Sequence, residues 1–226
     1  MNNTDQIMIS AKINRSQQYF NKLSLFFYDF ILYGLISKYA WGSSLQRLDS
    51  HYKKYIRSNH LEVGVGTGFL LNRVTFDSDK PRLALMDLSG ACLERTKLKV
   101  SRYAPEIYIQ NLLEPMKNRM AQFDSISINY VMHCIPGSFN EKGIAFKYLK
   151  PLLSKNGVLF GTTVLSEGVR KNMLAQPFMW LLNILGIFNN RKDNASDLQY
   201  YLGENFQLIE FEVIGVTAFF AVKHPL

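Results

Sequence analysis

The sequence predicts an α/β domain built on a mostly parallel sheet, and three observations carry that prediction. Strand-like and helix-like segments alternate over residues 60–164. The first of these strands runs into a turn holding three glycines, Gly64, Gly66 and Gly68. The tail breaks the alternation, because residues 206–213 and 216–222 both read as strands with only a tight turn at Gly215 between them. Alternation calls for right-handed crossovers between parallel strands, with helices on both faces. Two strands closed by a tight turn must run antiparallel.

Residues 1–57 contain no convincing strand. Large apolar side chains crowd residues 24–33, and Leu25, Tyr28, Phe30 and Leu32 do not fall into one period. Two helices fit here, broken near Trp41, where Gly42 and Ser43 supply a stop and a new cap. The second covers residues 43–57. Residues 1–57 are therefore taken as an N-terminal helical cap within the same domain, and 58–226 as its core.

In the core, residues 60–65 form the first strand, 69–74 read as helical and 82–87 form the second strand. Ser89 caps a helix running to about residue 102. Residues 107–110 are the third strand and 124–130 the fourth, with Ile126 and Ile128 on one face. A helix over 140–153 leads to the turn signal Asn156-Gly157 and a fifth strand at 158–164. Residues 177–188 are the longest apolar stretch, short of the roughly 20 needed to span a bilayer. They belong to an inserted helix, about 169–188, either buried or laid over a cleft. Residues 194–202 give the last helix.

At 226 residues, 47% of them apolar, the chain suits one domain with a real core. Only 19% are charged, which argues against disorder. The net charge of +8 suits a nucleic acid, an anionic lipid or an acidic substrate. The basic residues come in scattered pairs such as Lys53-Lys54 and Arg191-Lys192, without a run of five or six. A solvated surface is the better reading, and a nucleic-acid partner is disfavoured. Cys92 and Cys134 form neither a CxxC motif nor a zinc spacing, so no metal is expected. The polar start, Asn2 to Gln6, carries no signal-peptide pattern, and the expected location is the cytoplasm. Nothing in the sequence sets the oligomeric state.

The chemistry concentrates in Glu62-Val63-Gly64-Val65-Gly66-Thr67-Gly68. Glycines let the backbone bend at positive φ or let a ligand approach the main chain. A turn at the carboxyl end of a central strand is where open α/β sheets bind ligands. A dinucleotide fingerprint places its third glycine one residue later, where this chain has Phe69. Asp87 ends the second strand and suits the two hydroxyls of a ribose. Glu62, a carboxylate beside the loop, repels a pyrophosphate and attracts a cation such as the ammonium of a methionine moiety.

On these residues the chain resembles the class I S-adenosylmethionine (SAM)-dependent methyltransferases, whose first motif reads acid-x-G-x-G-x-G. The match covers residues 60–165 and extends more weakly to the end. The resemblance implies a Rossmann-like sheet of seven strands, the last antiparallel, and SAM as cofactor with S-adenosylhomocysteine (SAH) as product. It implies that Glu62 orients the methionine amino group, while Gly64, Val65, Gly66 and Gly68 floor the cofactor site. Asp87 then holds the ribose and Leu88 lies on the adenine. Asn111 and Leu112 follow the third strand, with Asn111 where the family usually has an aspartate. Asn129 and Tyr130 open the segment after the fourth strand, where backbone and side chains flank the methyl donor. More faintly, Tyr28 and Trp41 are similar to the helical cap of natural-product methyltransferases.

His133 is the candidate general base, and a packing residue is the alternative. Tyr28, Tyr33 and Trp41 are candidates for the substrate pocket, with core as the alternative. Met173 and Trp180 are candidates from the inserted helix, with packing on the N-terminal helices as the alternative. The expected reaction is transfer of the SAM methyl to a small-molecule acceptor, at oxygen or nitrogen. Two rivals stand beside it, ahead of a nicotinamide-dependent oxidoreductase, which Glu62 and the early Gly68 disfavour. One is a nucleic-acid methyltransferase, although Asn129-Tyr130-Val131-Met132 lacks the Pro-Pro-aromatic signature of the amino-group enzymes. The other is a non-catalytic module that keeps the pocket.

Overall fold

The computed structural model describes residues 36–117 and 119–225. Seven strands form one sheet: β1 (Asn59–Val63), β2 (Arg82–Asp87), β3 (Glu106–Ile109), β4 (Phe123–Asn129), β5 (Leu153–Val164), β6 (Gln207–Ile214) and β7 (Thr217–Lys223). Their order is β3-β2-β1-β4-β5-β7-β6. The pairs from β3 to β5 are parallel, and β7 runs antiparallel to both β5 and β6. The fold class expected from the sequence is the one observed.

Helices pack on both faces. After a single helical turn at Ser37–Tyr39 they are α1 (Leu45–Tyr55), α2 (Gly90–Lys99), α3 (Phe139–Lys142), α4 (Ile144–Leu149), α5 (Ala175–Ile184) and α6 (Ala195–Gly203). Capping fixes where three of them start: the side chains of Ser44, Ser89 and Asn194 accept hydrogen bonds from the N–H groups of Arg47, Cys92 and Asp197. Alternation along the strands sorts two cores. Leu83, Leu85, Phe160 and Phe219 join residues of α1, α2 and α5, while Leu61, Val63, Ile126, Ile128 and Phe220 join those of α4 and α6.

The structure departs from the expected elements in four places. Residues 69–74 hold one 3-10 turn, Leu71–Arg73, rather than a helix. The chain then runs through Asp77, Ser78, Asp79 and Pro81, too polar and too short to continue one. The helix expected over 140–153 is broken into α3, α4 and a 3-10 turn at Lys150–Leu152. Strand β5 begins at Leu153 and absorbs Asn156-Gly157, with a register irregularity opposite Phe123 and Ser125. The inserted helix is α5, shorter than the span expected. Of the expected N-terminal cap, residues 1–35 lie outside the described residues, Tyr28 and Tyr33 among them. Helix α1 packs on the sheet itself, with the rings of Tyr52 and Tyr55 5.4 and 5.8 Å from Phe160.

Candidate active site

A cavity of about 200 Å³ opens at the carboxyl ends of β1, β2 and β4. Glu62, Gly64, Val65, Gly66, Asp87, Leu88, Asn111, Leu112, Asn129 and Tyr130 all line it. Ten residues named from the sequence thus converge on one space, because parallel strands deliver their following loops to the same edge.

Gly66 stands at φ +51° with nothing within 4 Å of where a Cβ would be, so its backbone borders open space. Gly68 does something else. It does not line the cavity, and at φ +70° its absent Cβ would stand 2.7 Å from Thr96 Cγ2 on α2. Gly68 lets α2 approach the loop, which corrects its expected place in the cavity floor. Because only a 3-10 turn follows the loop, there is no long helix whose dipole would attract a pyrophosphate.

Asp87 is half-buried at the end of β2. Its Oδ1 accepts from Ser89 N–H at 2.8 Å and its Oδ2 from Gly66 N–H at 3.4 Å. Burial pushes the carboxyl up, and the N–H groups of Ser89, Gly66, Leu88 and Val65 pull it back. Glu62 is buried. Its Oε2 accepts from Tyr52 Oη and Ser127 Oγ and lies 3.1 Å from His60 Nε2.

Asn111 lines the cavity with its amide turned into its own loop. Its Nδ2 donates to Glu114 Oε1 at 2.9 Å and its Oδ1 accepts from Leu113 N–H at 3.0 Å. The neighbour Gln110 organises that loop, donating to the carbonyls of Asn111, Glu114 and Pro115 and accepting from Lys117 N–H. Asn129 is buried; its Oδ1 accepts from Thr162 Oγ1 at 3.2 Å, while its Nδ2 has no partner among the described residues. Tyr130 sits at φ 56°, a strained conformation for a non-glycine residue. Its hydroxyl meets Ser37 Oγ at 3.1 Å, and burial pushes its pKa up.

His133 is not placed as a base. It is buried outside the cavity lining, and its Nδ1 accepts from Val164 N–H at 3.2 Å. The ring lies 4.3 Å from that of Phe188. Burial, then the nearby Lys142 charge, lowers its pKa to about 3. A group lowered this way adds stability above its unfolded pKa near 6.5, and that stability is lost as pH falls toward 3. Accordingly, His133→Ala should keep SAH affinity within about threefold and leave the pH profile of turnover unchanged. It should lower Tm and remove part of the acid-unfolding limb, on the order of a few kcal/mol. A turnover profile that loses a titration near neutrality in this variant would restore the base.

Three pocket candidates are also corrected. Trp41 is fully buried, with its ring 5.6 Å from both Phe178 and Phe188, and is core. Met173 and Trp180 are 94% and 63% exposed and line no part of the cavity. Trp180 stands on the outer face of α5, and Met173 lies in the turn before that helix. Val131, Ile135 and Pro136, in the segment after β4 that the resemblance placed beside the methyl donor, also line the cavity, while sequence reasoning missed Phe69, Leu70, Cys92 and Gln110. Position was the available signal, since each lies within a few residues of a strand's carboxyl end or in the helix after β2. Burial holds the thiols of Cys92 and Cys134 protonated, with pKa values pushed up to about 11 and 12.

No sequence-family model matches the chain. It is 38% identical over 222 residues to methyltransferase ctvB of Aspergillus terreus, covering 93% of this chain and 94% of that protein. It is 34% identical over 216 residues to demethylluteothin O-methyltransferase of Streptomyces thioluteus, covering 94% of each. The chain belongs to the class I SAM-dependent methyltransferases. The fold of this methyltransferase also matches the N-methyltransferase NodS of Bradyrhizobium japonicum in complex with SAH. That match has a TM-score of 0.58 at 15% identity, over 80% of this chain and 85% of that one. Among the described residues of this methyltransferase no cluster of His, Cys, Asp or Glu suits a metal, and no helix is long and apolar enough to cross a membrane.

Proposed function

We propose that SAM binds in the cavity at the ends of β1, β2 and β4 and that its methyl passes to a hydroxyl oxygen of a largely apolar small molecule. The observation that carries the cofactor assignment is the convergence of Asp87, Glu62 and the open backbone of Gly66 on one cavity. The residues fit the group. Asp87 accepts from the two ribose hydroxyls, Glu62 from the ammonium, and Leu88 packs on the adenine. The buried Nδ2 of Asn129 is a donor waiting for an acceptor.

SAM would supply an activated methyl: the carbon–sulfur bond would break as the acceptor oxygen's lone pair forms the new bond, the sulfur would leave uncharged, and the hydroxyl proton of the phenolic or enolic acceptor would pass to water. The protein's part is to align and to exclude water. The apolar walls Phe69, Leu70, Val131, Ile135 and Pro136 serve the second task. The hydroxyl acceptor is supported by relatives named as O-methyltransferases, such as the physcion biosynthesis cluster O-methyltransferase of Aspergillus chevalieri, 32% identical over 208 residues. Free thiols at Cys92 and Cys134 support a reducing compartment such as the cytoplasm.

The test is incubation with SAM labelled in its methyl group and a panel of phenolic and enolic acceptors, amines and RNA. Mass spectrometry and NMR of the products identify the methylated atom. Methyl ethers are expected. Transfer confined to nitrogen, or to RNA, would sink the hydroxyl reading.

A further inference from the structure

The alternation of β1 and β4 places four polar side chains on the sheet face under α1. His60 stands opposite Ser125 and Glu62 opposite Ser127, while Leu61, Val63, Ile126 and Ile128 take the other face. A buried polar ladder in the centre of a sheet is destabilising unless every group is paired. This one is paired with a direction. Arg57 N–H donates to Ser125 Oγ at 2.8 Å, and Ser125 Oγ lies 2.7 Å from His60 Nδ1. With the serine hydroxyl donating to Nδ1, the imidazole carries its proton on Nε2, which faces Glu62 Oε2 at 3.1 Å. Ser127 Oγ and Tyr52 Oη donate to the same Oε2. Among the described residues no donor reaches Oε1, and Glu62 borders the cavity.

We propose that Tyr52, His60 and Ser127 are positioning residues that lock Glu62 through one oxygen, so that the other is presented to the ammonium group of bound SAM. This rests on the cofactor assignment above. Three donors on Oε2 fix the carboxylate plane and offset the burial of its charge. Tyr52 comes from α1, so the N-terminal helix on the sheet and the methionine end of the cofactor site are mechanically joined. A bound ammonium then meets a carboxylate already oriented, without the entropy of fixing a free side chain.

The test is calorimetric titration of the wild type, Tyr52→Phe and Ser127→Ala with two ligands. SAH carries the ammonium. 5′-Methylthioadenosine shares its adenosine and thioether and lacks the amino-acid end. Tyr52→Phe keeps the ring contacts with His60 and Phe160, at 6.1 and 5.4 Å. Each variant should lose SAH affinity on the order of tenfold while holding 5′-methylthioadenosine within about twofold. Equal losses for both ligands, or no loss for either, would overturn the positioning role. Should Tyr52→Phe fail to fold, Ser127→Ala decides by the same comparison. A wild type that binds neither ligand would bring down the cofactor assignment itself, and this inference with it.

Discussion

Asp87→Ala should weaken SAM and SAH binding by a factor on the order of 10² to 10⁴, read by calorimetry. Two hydrogen bonds from ribose hydroxyls to an ionised acceptor are worth about 1.5–3 kcal/mol each. Nothing else at the end of β2 can replace them, since Leu88 is apolar and Ser89 Oγ is taken by Cys92 N–H at 3.3 Å. Asp87→Asn should fall nearly as far. A neutral amide keeps the shape but offers one acceptor oxygen in place of two. The pH dependence has a definite sign. Burial raises the Asp87 pKa, so wild-type affinity should fall on acidification sooner than an ordinary aspartate would allow, and the Ala variant should lack that limb. For folding the same shift acts the other way: a raised carboxyl favours the fold at low pH, and that contribution is lost as pH rises through the folded value. SAH affinity within threefold of wild type in Asp87→Ala would remove this residue from the site.

The placement of Glu62, the Gly64–Gly66 stretch and Asp87 at the cavity was legible in the sequence because it follows from local features. A strand ending in glycines and a strand ending in an acid announce a binding edge without knowledge of the third dimension. The parallel body and antiparallel tail of the sheet were legible for the same reason, because alternation and one tight turn leave few topologies, whereas the order of the strands is known only from the structure. The polar ladder was legible only in half. The isoleucines at 126 and 128 gave one face of β4, but the alternating serines at 125 and 127 gain meaning only from β1 beside them and α1 above them. His133 was a base candidate because its position in sequence, four residues past the end of β4, matches a site residue; its side chain turns to Val164 and Phe188, as the packing alternative has it. Met173 and Trp180 were misread because a bulky apolar residue implies burial only as a tendency. No periodicity within residues 173–184 tells which face of α5 meets the protein, since the helix is apolar almost all round.

Lys142→Met should cost about 3–5 kcal/mol of stability at neutral pH, because it strands a buried carboxylate. Lys142 and Asp193 are both fully buried, with Nζ 2.6 Å from Oδ2. Burial lowers the pKa of Lys142 and raises that of Asp193 to about 6, and each charge stabilises the other against those shifts. Without the lysine, the Asp193 carboxyl rises further. By the sign of such a shift, Asp193 contributes stability that grows as pH is lowered from 8 toward 5, and more so in the variant, so the variant's deficit against the wild type should shrink over that range; buried His133 opposes this below about 6.5 in both proteins. Adding Asp193→Leu should recover most of the loss, because the orphaned charge goes with it. A loss that is independent of pH and persists in the double variant would assign the lysine a packing role instead. The pair also bears on the site. Lys142 Nζ reaches the carbonyls of Ile135 and Asn189, at 3.5 and 3.3 Å, and Asn189 in turn binds the backbone of His133 and Cys134. Cys134, Ile135 and Pro136 line the cavity, so one buried cation holds this wall in place. Faster amide exchange across residues 133–136 in Lys142→Met, at a pH where the variant is still folded, is the expected sign of that coupling.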